Sequence, residues 1–196
     1  MHSTRRQQIL DAAARLLLHY GPNKTTVSDI AREARVGVGS VYLEFESKDA
    51  ILAALSRGRH ERVLEAVGRA LGERGSYAER LERALTARFE AFGGCARESA
   101  HGPDLFHCAC PAIEEAHHAF REAELELFAR FLDEARRELV IEDARADAQA
   151  LLRAYAAFSP PLVFQLSMSC SARISRACTA SSCVGSSCAD RVGSGR

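Results

Sequence analysis

The residues with the clearest coordination chemistry are the histidines and cysteines between positions 101 and 118, namely His101, His107, Cys108, Cys110, His117 and His118. Imidazole and thiolate groups are the ligands that zinc and copper take in proteins. If the segments on either side of Pro111 are helical, His107 and His117 could converge on Cys110. However, a Cys-x-Cys pair is compact, and histidines are common on charged surface helices. We therefore predict no metal site, and keep a metal- or thiol-sensing protein as the alternative.

Sequence patterns for catalysis are missing. The chain has no Gly-x-Ser-x-Gly, no phosphate-cradling glycine loop, no His-Glu-x-x-His and no isolated cysteine with a defined partner. The sequence therefore predicts a binding protein rather than an enzyme, with no catalytic residues and no cofactor.

Residues 25–51 favour a helix-turn-helix. Thr26 and Asp29 have the spacing of a capping box at a helix start, and the apolar residues that follow recur on one helical face: Val27, Ile30, Ala31 and Ala34. A tight connection at 35–37 leads to a second short helix. This second helix has residues available outside (Gly39, Ser40, Tyr42, Leu43) and residues available for packing (Val38, Val41, Phe45). Two short helices joined in this way suit the major groove of DNA.

The end of this stretch carries a specific resemblance. Residues 42–52 read Y-x-x-F-x-S-K-D-x-x-L, and residues 25–31 read T-T-V-x-D-I-A. Over residues 5–55 the chain resembles the DNA-binding domain of the TetR/AcrR family of transcriptional regulators. The resemblance implies that Thr26, Ser40, Tyr42 and Lys48 hold phosphates, while residues 38–43 face base edges. With Arg35, the predicted DNA-binding set is Thr26, Arg35, Val38, Gly39, Ser40, Tyr42, Leu43 and Lys48.

The chain departs from the family pattern at several positions. Arg35 stands where the family usually has glycine, and a left-handed conformation there would cost about 1 kcal/mol relative to glycine. Gly37 stands where a serine or threonine is usual. Glu44 and Glu46 add negative charge beside the expected phosphate track, which predicts modest operator affinity.

Length and charge fit a globular binding protein. The 196 residues hold 26 basic and 26 acidic side chains, but residues 1–60 hold nine basic against six acidic ones. The N-terminus lacks the apolar stretch of a signal peptide, and no run approaches membrane-spanning length. We therefore expect a cytoplasmic protein with no membrane partner, in which the seven cysteines are thiols.

Helical periodicity continues along the chain, and we find no strand pattern and no internal repeat. The predicted helices cover 4–20, 47 to about 72, 76–92, 112–140 and 143–158. Gly93-Gly94 is expected to stop the third of these, with a loop at 95–103. The sequence thus predicts an all-α fold: a three-helix helix-turn-helix DNA-binding domain at 1–47, then a helical ligand-binding and dimerisation domain at 48–166.

Residues 167–196 have a different composition, rich in serine and cysteine and poor in large apolar residues. Such a segment cannot bury enough surface to offset its ordering entropy. Two hypotheses stay open: a natural disordered tail, or the product of a reading-frame shift near residue 158. Family members usually end in a further amphipathic helix, so whether this chain dimerises also stays open.

Aromatic residues in the second half are numerous enough to line a ligand cavity, which the family keeps between these helices. As a set they point to an apolar or aromatic effector, with Arg88 and His107 as candidate polar contacts. The predicted ligand-binding residues are Phe89, Phe92, Phe106, Phe120, Phe128, Phe131, Tyr155 and Phe158.

These patterns together predict a ligand-responsive transcriptional repressor. The resemblance implies a homodimer that binds a palindromic double-stranded DNA operator and is released by a small-molecule effector. Two alternatives remain: a metal- or thiol-sensing regulator on the same scaffold, or a helical interaction module whose DNA-binding head is vestigial.

Overall fold

The computed structural model describes residues 4–97 and 111–158, with side chains for 4–92 and 111–156. All regular secondary structure in these residues is helical, which confirms the predicted all-α class. The α-helices of these described ranges are α1 (Arg5–Tyr20), α2 (Val27–Ala34), α3 (Val38–Glu44), α4 (Lys48–Leu71), α5 (Tyr77–Arg97), α6 (Pro111–Glu134) and α7 (Ala144–Ala154). Short 3-10 turns follow α6 at Ala135–Arg137 and α7 at Tyr155–Phe158. The two hypotheses for residues 167–196 concern a segment outside the described residues.

Side-chain caps define where several helices begin. Thr26 and Asp29 form the predicted capping box at α2, and the Ser47 hydroxyl accepts a hydrogen bond from Ala50 N–H at the start of α4. Asp143 caps α7 by accepting hydrogen bonds from the backbone of residues 145 and 146. Each cap satisfies backbone N–H groups that have no partner inside the helix, typically stabilising it by about 1 kcal/mol.

The first apolar core joins α1, α2, α3 and the start of α4. Its fully buried members come from all four helices and include Ile9, Leu17, Ile30, Val41 and Ile51. Ile113 from the first turn of α6 also belongs to this core. The start of α6 is therefore packed against the N-terminal helices.

A second apolar core joins the remainder of α4 to α5, α6 and α7. Its buried members include Val67, Ala84, Phe128, Leu132 and Ala148. Both α4 and α6 contribute to both cores. These two 24-residue helices thus run from one core to the other.

Two predicted helix ends were wrong. The pair Gly93-Gly94 does not stop α5, which continues to Arg97; glycine lowers helix stability by about 1 kcal/mol but does not block the conformation. The helix predicted to reach Val140 ends at Glu134 instead. There the N–H groups of Glu138 and Leu139 both bond the Ala135 carbonyl, so the chain tightens into a 3-10 turn.

Candidate nucleic-acid interface and internal cavity

Helix α3 presents large apolar side chains to solvent. Val41 is fully buried beneath it, whereas Val38, Tyr42 and Leu43 are 39%, 53% and 81% exposed. Gly39 is exposed and Ser40 is half-buried on the same short helix. Contiguous exposed apolar residues on one helix mark a contact surface. The outward positions predicted from the sequence are therefore accessible, and so is Val38, which was expected both to pack and to contact DNA.

The turn before α3 uses the left-handed conformation expected at Arg35. Its φ and ψ are 56° and 40°, and it is the one non-glycine residue with positive φ in the described part of the chain. The Val36 N–H bonds the Ala31 carbonyl at 3.0 Å, which closes α2 in a Schellman-like arrangement. The Arg35 side chain is exposed beside α3.

Thr26 lies exposed at the N-terminus of α2, but its hydroxyl is engaged. It accepts from the Asp29 N–H at 3.2 Å and donates to the Asp29 carboxylate at 2.6 Å. The Thr26 hydroxyl, the Thr26 N–H that donates to the same carboxylate at 3.1 Å and, to a smaller extent, Arg32 hold the pKa of Asp29 below its usual value. A phosphate oxygen at this helix end would meet free N–H groups and the helix dipole, but it would also meet the Asp29 charge.

Lys48 has a structural role that the sequence did not reveal. Its ammonium donates to the carbonyls of Pro22 at 3.0 Å and Thr25 at 3.4 Å. The side chain thereby ties the α1–α2 connection to the start of α4. An ammonium has three N–H donors, so one donor remains after these two bonds. The positive charge of Lys48 lies beside the N-terminus of α2.

Arg6 holds the other end of α3. Its guanidinium donates to the Glu44 carbonyl at 2.9 Å and lies over the Phe45 ring at 4.1 Å from the centroid. The sequence suggested a phosphate contact or a solvated charge here. A bond between residues 38 positions apart has no local sequence signal, so this function was missed.

A cavity of about 550 Å³ lies between α4, α5, α6 and α7. Ligand sites in proteins commonly have volumes of about 300–1,000 Å³. The lining residues combine aromatic and aliphatic side chains with several ionisable ones: His60, Arg88, Phe92, His117, Phe120, Arg121, Glu122, Glu124, Leu125, Gln149, Leu152, Arg153 and Ala156.

A buried ion pair forms part of this wall. Arg88 on α5 binds Glu124 on α6 through two hydrogen bonds of 2.7 and 3.2 Å, and their side chains are only 5% and 3% exposed. The Arg88 guanidinium also lies over the Phe92 ring. The burial of these two charges is tolerated only because each one compensates the other.

His60 on α4 is a second buried polar group in the wall. Its ring stacks on Phe120 with centroids 4.5 Å apart and lies 4.8 Å from the His117 ring. Burial, with positive charge at His117 and Arg59, lowers the pKa of His60 to about 4. Burial and Arg121 also lower the pKa of His117. At neutral pH both imidazoles are therefore uncharged.

The predicted aromatic set divides among several environments. Phe92 and Phe120 line the cavity, as does Arg88. Phe128 and Phe131 are buried in the second core, Tyr155 is half-buried against it, and Phe89 is 43% exposed. Phe106, His107 and the Phe158 side chain are outside the described residues. Aromatic periodicity identified helices that face the core, but not which residues adjoin a void.

His60 was not among the predicted ligand contacts. It does fall on the apolar stripe of α4, one turn before Val63 and Leu64, and a histidine on such a stripe was the available signal. Of the six histidines and cysteines considered for metal binding, His117 and His118 are described. Within the described ranges no three potential metal ligands are grouped together.

The same two helices link the α3 region to the cavity. Helix α4 buries Ile51 in the first core and carries His60 in the cavity wall. Helix α6 buries Ile113 in the first core and carries His117 and Phe120 in the wall. A ligand that displaced either of these helices would therefore also disturb the packing of the first core.

In the described part of the chain, no helix has the length and apolar character required to cross a membrane.

Sequence comparison identifies the N-terminal helices. Residues 9–55 match the family described as bacterial regulatory proteins, tetR family. The chain is 30% identical over 87 residues to a fatty acid metabolism regulator protein of Bacillus subtilis, covering 44% of this chain and 45% of that protein. It therefore spans less than half the length of that relative. A longer match, 28% identical over 163 residues, joins 78% of this chain to 76% of an HTH-type transcriptional repressor of Mycobacterium tuberculosis.

The fold has a solved counterpart as well. The regulator FadR from Bacillus subtilis, crystallised in complex with stearoyl-CoA, superposes with a TM-score of 0.63, covering 83% of this chain and 87% of that one at 20% identity. At that identity the likeness concerns the fold. The helix-turn-helix segment of this chain is therefore similar in sequence to the bacterial regulatory proteins of the tetR family, and the described residues are similar in fold to FadR.

Proposed function

We propose that this protein is a ligand-responsive repressor that binds a palindromic operator as a homodimer in the cytoplasm. In this proposal residues 1–47 form the DNA-binding head and residues 48–166 the regulatory domain. The observation that carries it is the exposed face of α3, where Tyr42 and Leu43 are 53% and 81% exposed above the buried Val41. A helix of this kind fits the major groove when its outer residues reach base edges.

The contacts to the sugar-phosphate backbone are assigned around this helix. Tyr42 and Ser40 reach phosphates from α3, and Arg35 reaches one from the turn before it. Lys48 adds positive charge beside the α2 N-terminus, where its two carbonyl bonds fix its position. Phosphate contacts of this kind set orientation and register, whereas the outer face of α3 reads sequence.

The effector acts, in this proposal, by changing the separation of the two heads. Helices α4 and α6 each join the first core to the cavity wall, so a ligand in the cavity displaces the helices on which α3 is mounted. A coupling of about 1–3 kcal/mol would change operator affinity by about 5- to 150-fold. The two half-sites of an operator lie a fixed helical distance apart, so a small change in the separation of the two heads is sufficient to weaken operator binding.

The effector is proposed to be a small molecule with an apolar or aromatic body. Phe92, Phe120, Leu125 and Leu152 provide an apolar lining in the cavity. The structural counterpart that binds stearoyl-CoA gives this proposal a precedent in the same fold.

The DNA-binding part is tested with matched tyrosine variants. An operator is first obtained by selection from random duplexes with the full chain. Tyr42→Ala should then weaken binding at least ~10-fold, since it removes both a phosphate contact and part of the α3 surface. Tyr20→Ala is the control, because Tyr20 is 50% exposed at the end of α1, away from α3.

Helix content and oligomeric state should match the parent protein in both variants. Equal operator affinity of the parent and Tyr42→Ala would reject the assignment of α3. Sedimentation with and without operator tests the dimer, and a single chain bound per operator would contradict that part.

A further inference from the structure

The charges around the cavity are unevenly distributed between its interior and its rim. In the interior, Arg88 and Glu124 neutralise each other through two hydrogen bonds. His60 is uncharged at neutral pH because burial lowers its pKa to about 4. The interior wall therefore has no net charge among the described residues.

The rim has an uncompensated positive charge. Arg121 on α6 and Arg153 on α7 both line the cavity and are exposed. Neither makes an ion pair within the residues that the structure describes. The acidic rim residue Glu122 is instead bound to Arg145 at 3.3 Å. Two guanidinium groups at the mouth are thus available to a ligand.

We propose that the effector is an amphipathic anion, whose apolar body lies against Phe92, Phe120 and Leu152 and whose anionic head group is bound at the rim by Arg121 and Arg153. This inference deepens the proposed function and rests on it, because it takes the cavity as the effector site. Guanidinium groups bind carboxylates and phosphates through paired, charge-assisted hydrogen bonds. The two arginines come from different helices, so one head group bound by both would join α6 to α7.

Desolvation determines which end of the ligand enters. A carboxylate or phosphate placed in the interior would lie near the buried Glu124 carboxylate, and the Arg88 guanidinium is already paired with Glu124. Burying an unpaired charge costs several kcal/mol. At the rim the same group keeps part of its hydration and gains two guanidinium partners. The apolar end is therefore the end that is buried.

The orientation also gives the cavity a selectivity. A neutral amphiphile of the same chain length fills the apolar interior equally well, but it gains nothing from Arg121 and Arg153. A doubly charged head group gains more than a singly charged one. The two rim arginines are thus expected to be specificity-determining residues, while Phe92 and Phe120 supply affinity shared by all apolar ligands.

Three probes of equal chain length test this proposal on the full chain without DNA: dodecanoate, dodecanoyl-CoA and dodecanol. Their dissociation constants are measured by titration calorimetry below their micelle concentrations. We expect at least one of the two anions to bind ~10-fold or more tightly than dodecanol. Tighter binding of dodecanoyl-CoA identifies a phosphate-bearing head group, and tighter binding of dodecanoate identifies a carboxylate.

Substitutions at the rim provide the second arm. In Arg121→Gln/Arg153→Gln, binding of the preferred anion should weaken ~10-fold or more, while dodecanol binding changes less than about twofold. Arg130→Gln is the control, since Arg130 is exposed on α6 but does not line the cavity. An unchanged thermal midpoint establishes that each variant is folded.

Equal affinity for dodecanol and both anions, an unaffected double variant, or no binding of any probe would each overturn the inference. None of these outcomes affects operator binding, which is measured separately with Tyr42→Ala. Conversely, anion binding without release of operator would reject the proposed regulation while leaving the amphipathic-anion site in place.

Discussion

The two apolar cores support surfaces of opposite kinds. Around the first core, the ionisable side chains stay out of the buried interior, and apolar side chains such as Tyr42 and Leu43 are exposed. Around the second core, ionisable groups are buried: Arg88, Glu124 and His60 are each about 5% exposed or less. The first region therefore exposes its candidate DNA-contact residues, whereas the second region encloses its candidate ligand contacts around a cavity.

This difference separates two sources of stability. The polar groups of the N-terminal helices stabilise them through individual side-chain caps, such as those at Thr26 and Ser47, each worth about 0.5–2 kcal/mol. The second region instead retains buried charges whose net contribution to stability is small when they are paired and strongly unfavourable when they are not. Substitutions of polar residues should consequently have larger effects in the second region than in the first.

The largest expected effect follows from removing one partner of the buried ion pair. Glu124→Ala removes the carboxylate that binds the Arg88 guanidinium at 5% exposure, which should lower the free energy of unfolding by about 3–5 kcal/mol. The double variant Arg88→Leu/Glu124→Leu should recover most of this loss, since no charge is left buried. Urea denaturation followed by circular dichroism measures both.

An exposed ion pair at the C-terminal end of α6 provides the control. Asp133 binds Arg136 at 2.6 Å with both side chains about half exposed or more, so Asp133→Ala should cost less than about 1 kcal/mol. If Glu124→Ala proves as mild as Asp133→Ala, burial of the charges in the second region does not have the expected effect on stability.

The next largest effect is a pH dependence caused by His60. Its pKa is about 4 in the folded protein, against 6.5 as the ordinary value, so the unfolded chain binds more protons between these two values. Stability is therefore fully present above pH 6.5 and falls as the pH decreases towards 4. Between pH 7 and pH 5 the loss from this residue should be about 2 kcal/mol.

The variant His60→Leu should reduce that pH dependence. The control is His118→Gln, which alters an exposed histidine and should leave the dependence unchanged. His117 also has a lowered pKa, so part of the dependence persists in His60→Leu. The test is the free energy of unfolding of each protein at pH 7 and at pH 5. If the difference between the two pH values is the same in the parent and in His60→Leu, His60 does not cause the pH dependence.

The first region was largely predictable because its signals are local in sequence. The Thr26 capping box, the left-handed Arg35 and the Ser47 cap each involve residues within about one helical turn. Three- and four-residue spacings are set by helix geometry, so the sequence determines them before any tertiary contact forms. The outward positions on α3 followed from the same periodicity.

The cavity was only partly predictable because its walls depend on contacts between distant helices. Arg88 and Glu124 are 36 residues apart, and no residue next to either one in the sequence indicates that they form a pair. Phe120 and Phe128 lie two turns apart on α6, yet only Phe120 reaches the void. The difference arises from how α4 and α5 pack across them, which periodicity along one helix does not contain.

The smallest expected effect returns to the first region and tests its turn. Arg35 adopts φ 56°, a conformation that costs a residue with a Cβ about 1 kcal/mol relative to glycine. Arg35→Gly should therefore raise the free energy of unfolding by about 1 kcal/mol. Arg32→Gly, one turn earlier within α2, should lower it by a similar amount, because there glycine weakens a regular helix. If the Arg35 side chain binds a phosphate, the more stable Arg35→Gly protein should bind operator more weakly, and the slope of log affinity against log salt should decrease by about 1. Unchanged operator affinity would mean that Arg35 acts only in the turn. A loss of stability in Arg35→Gly would contradict the claim that the Arg35 backbone is strained.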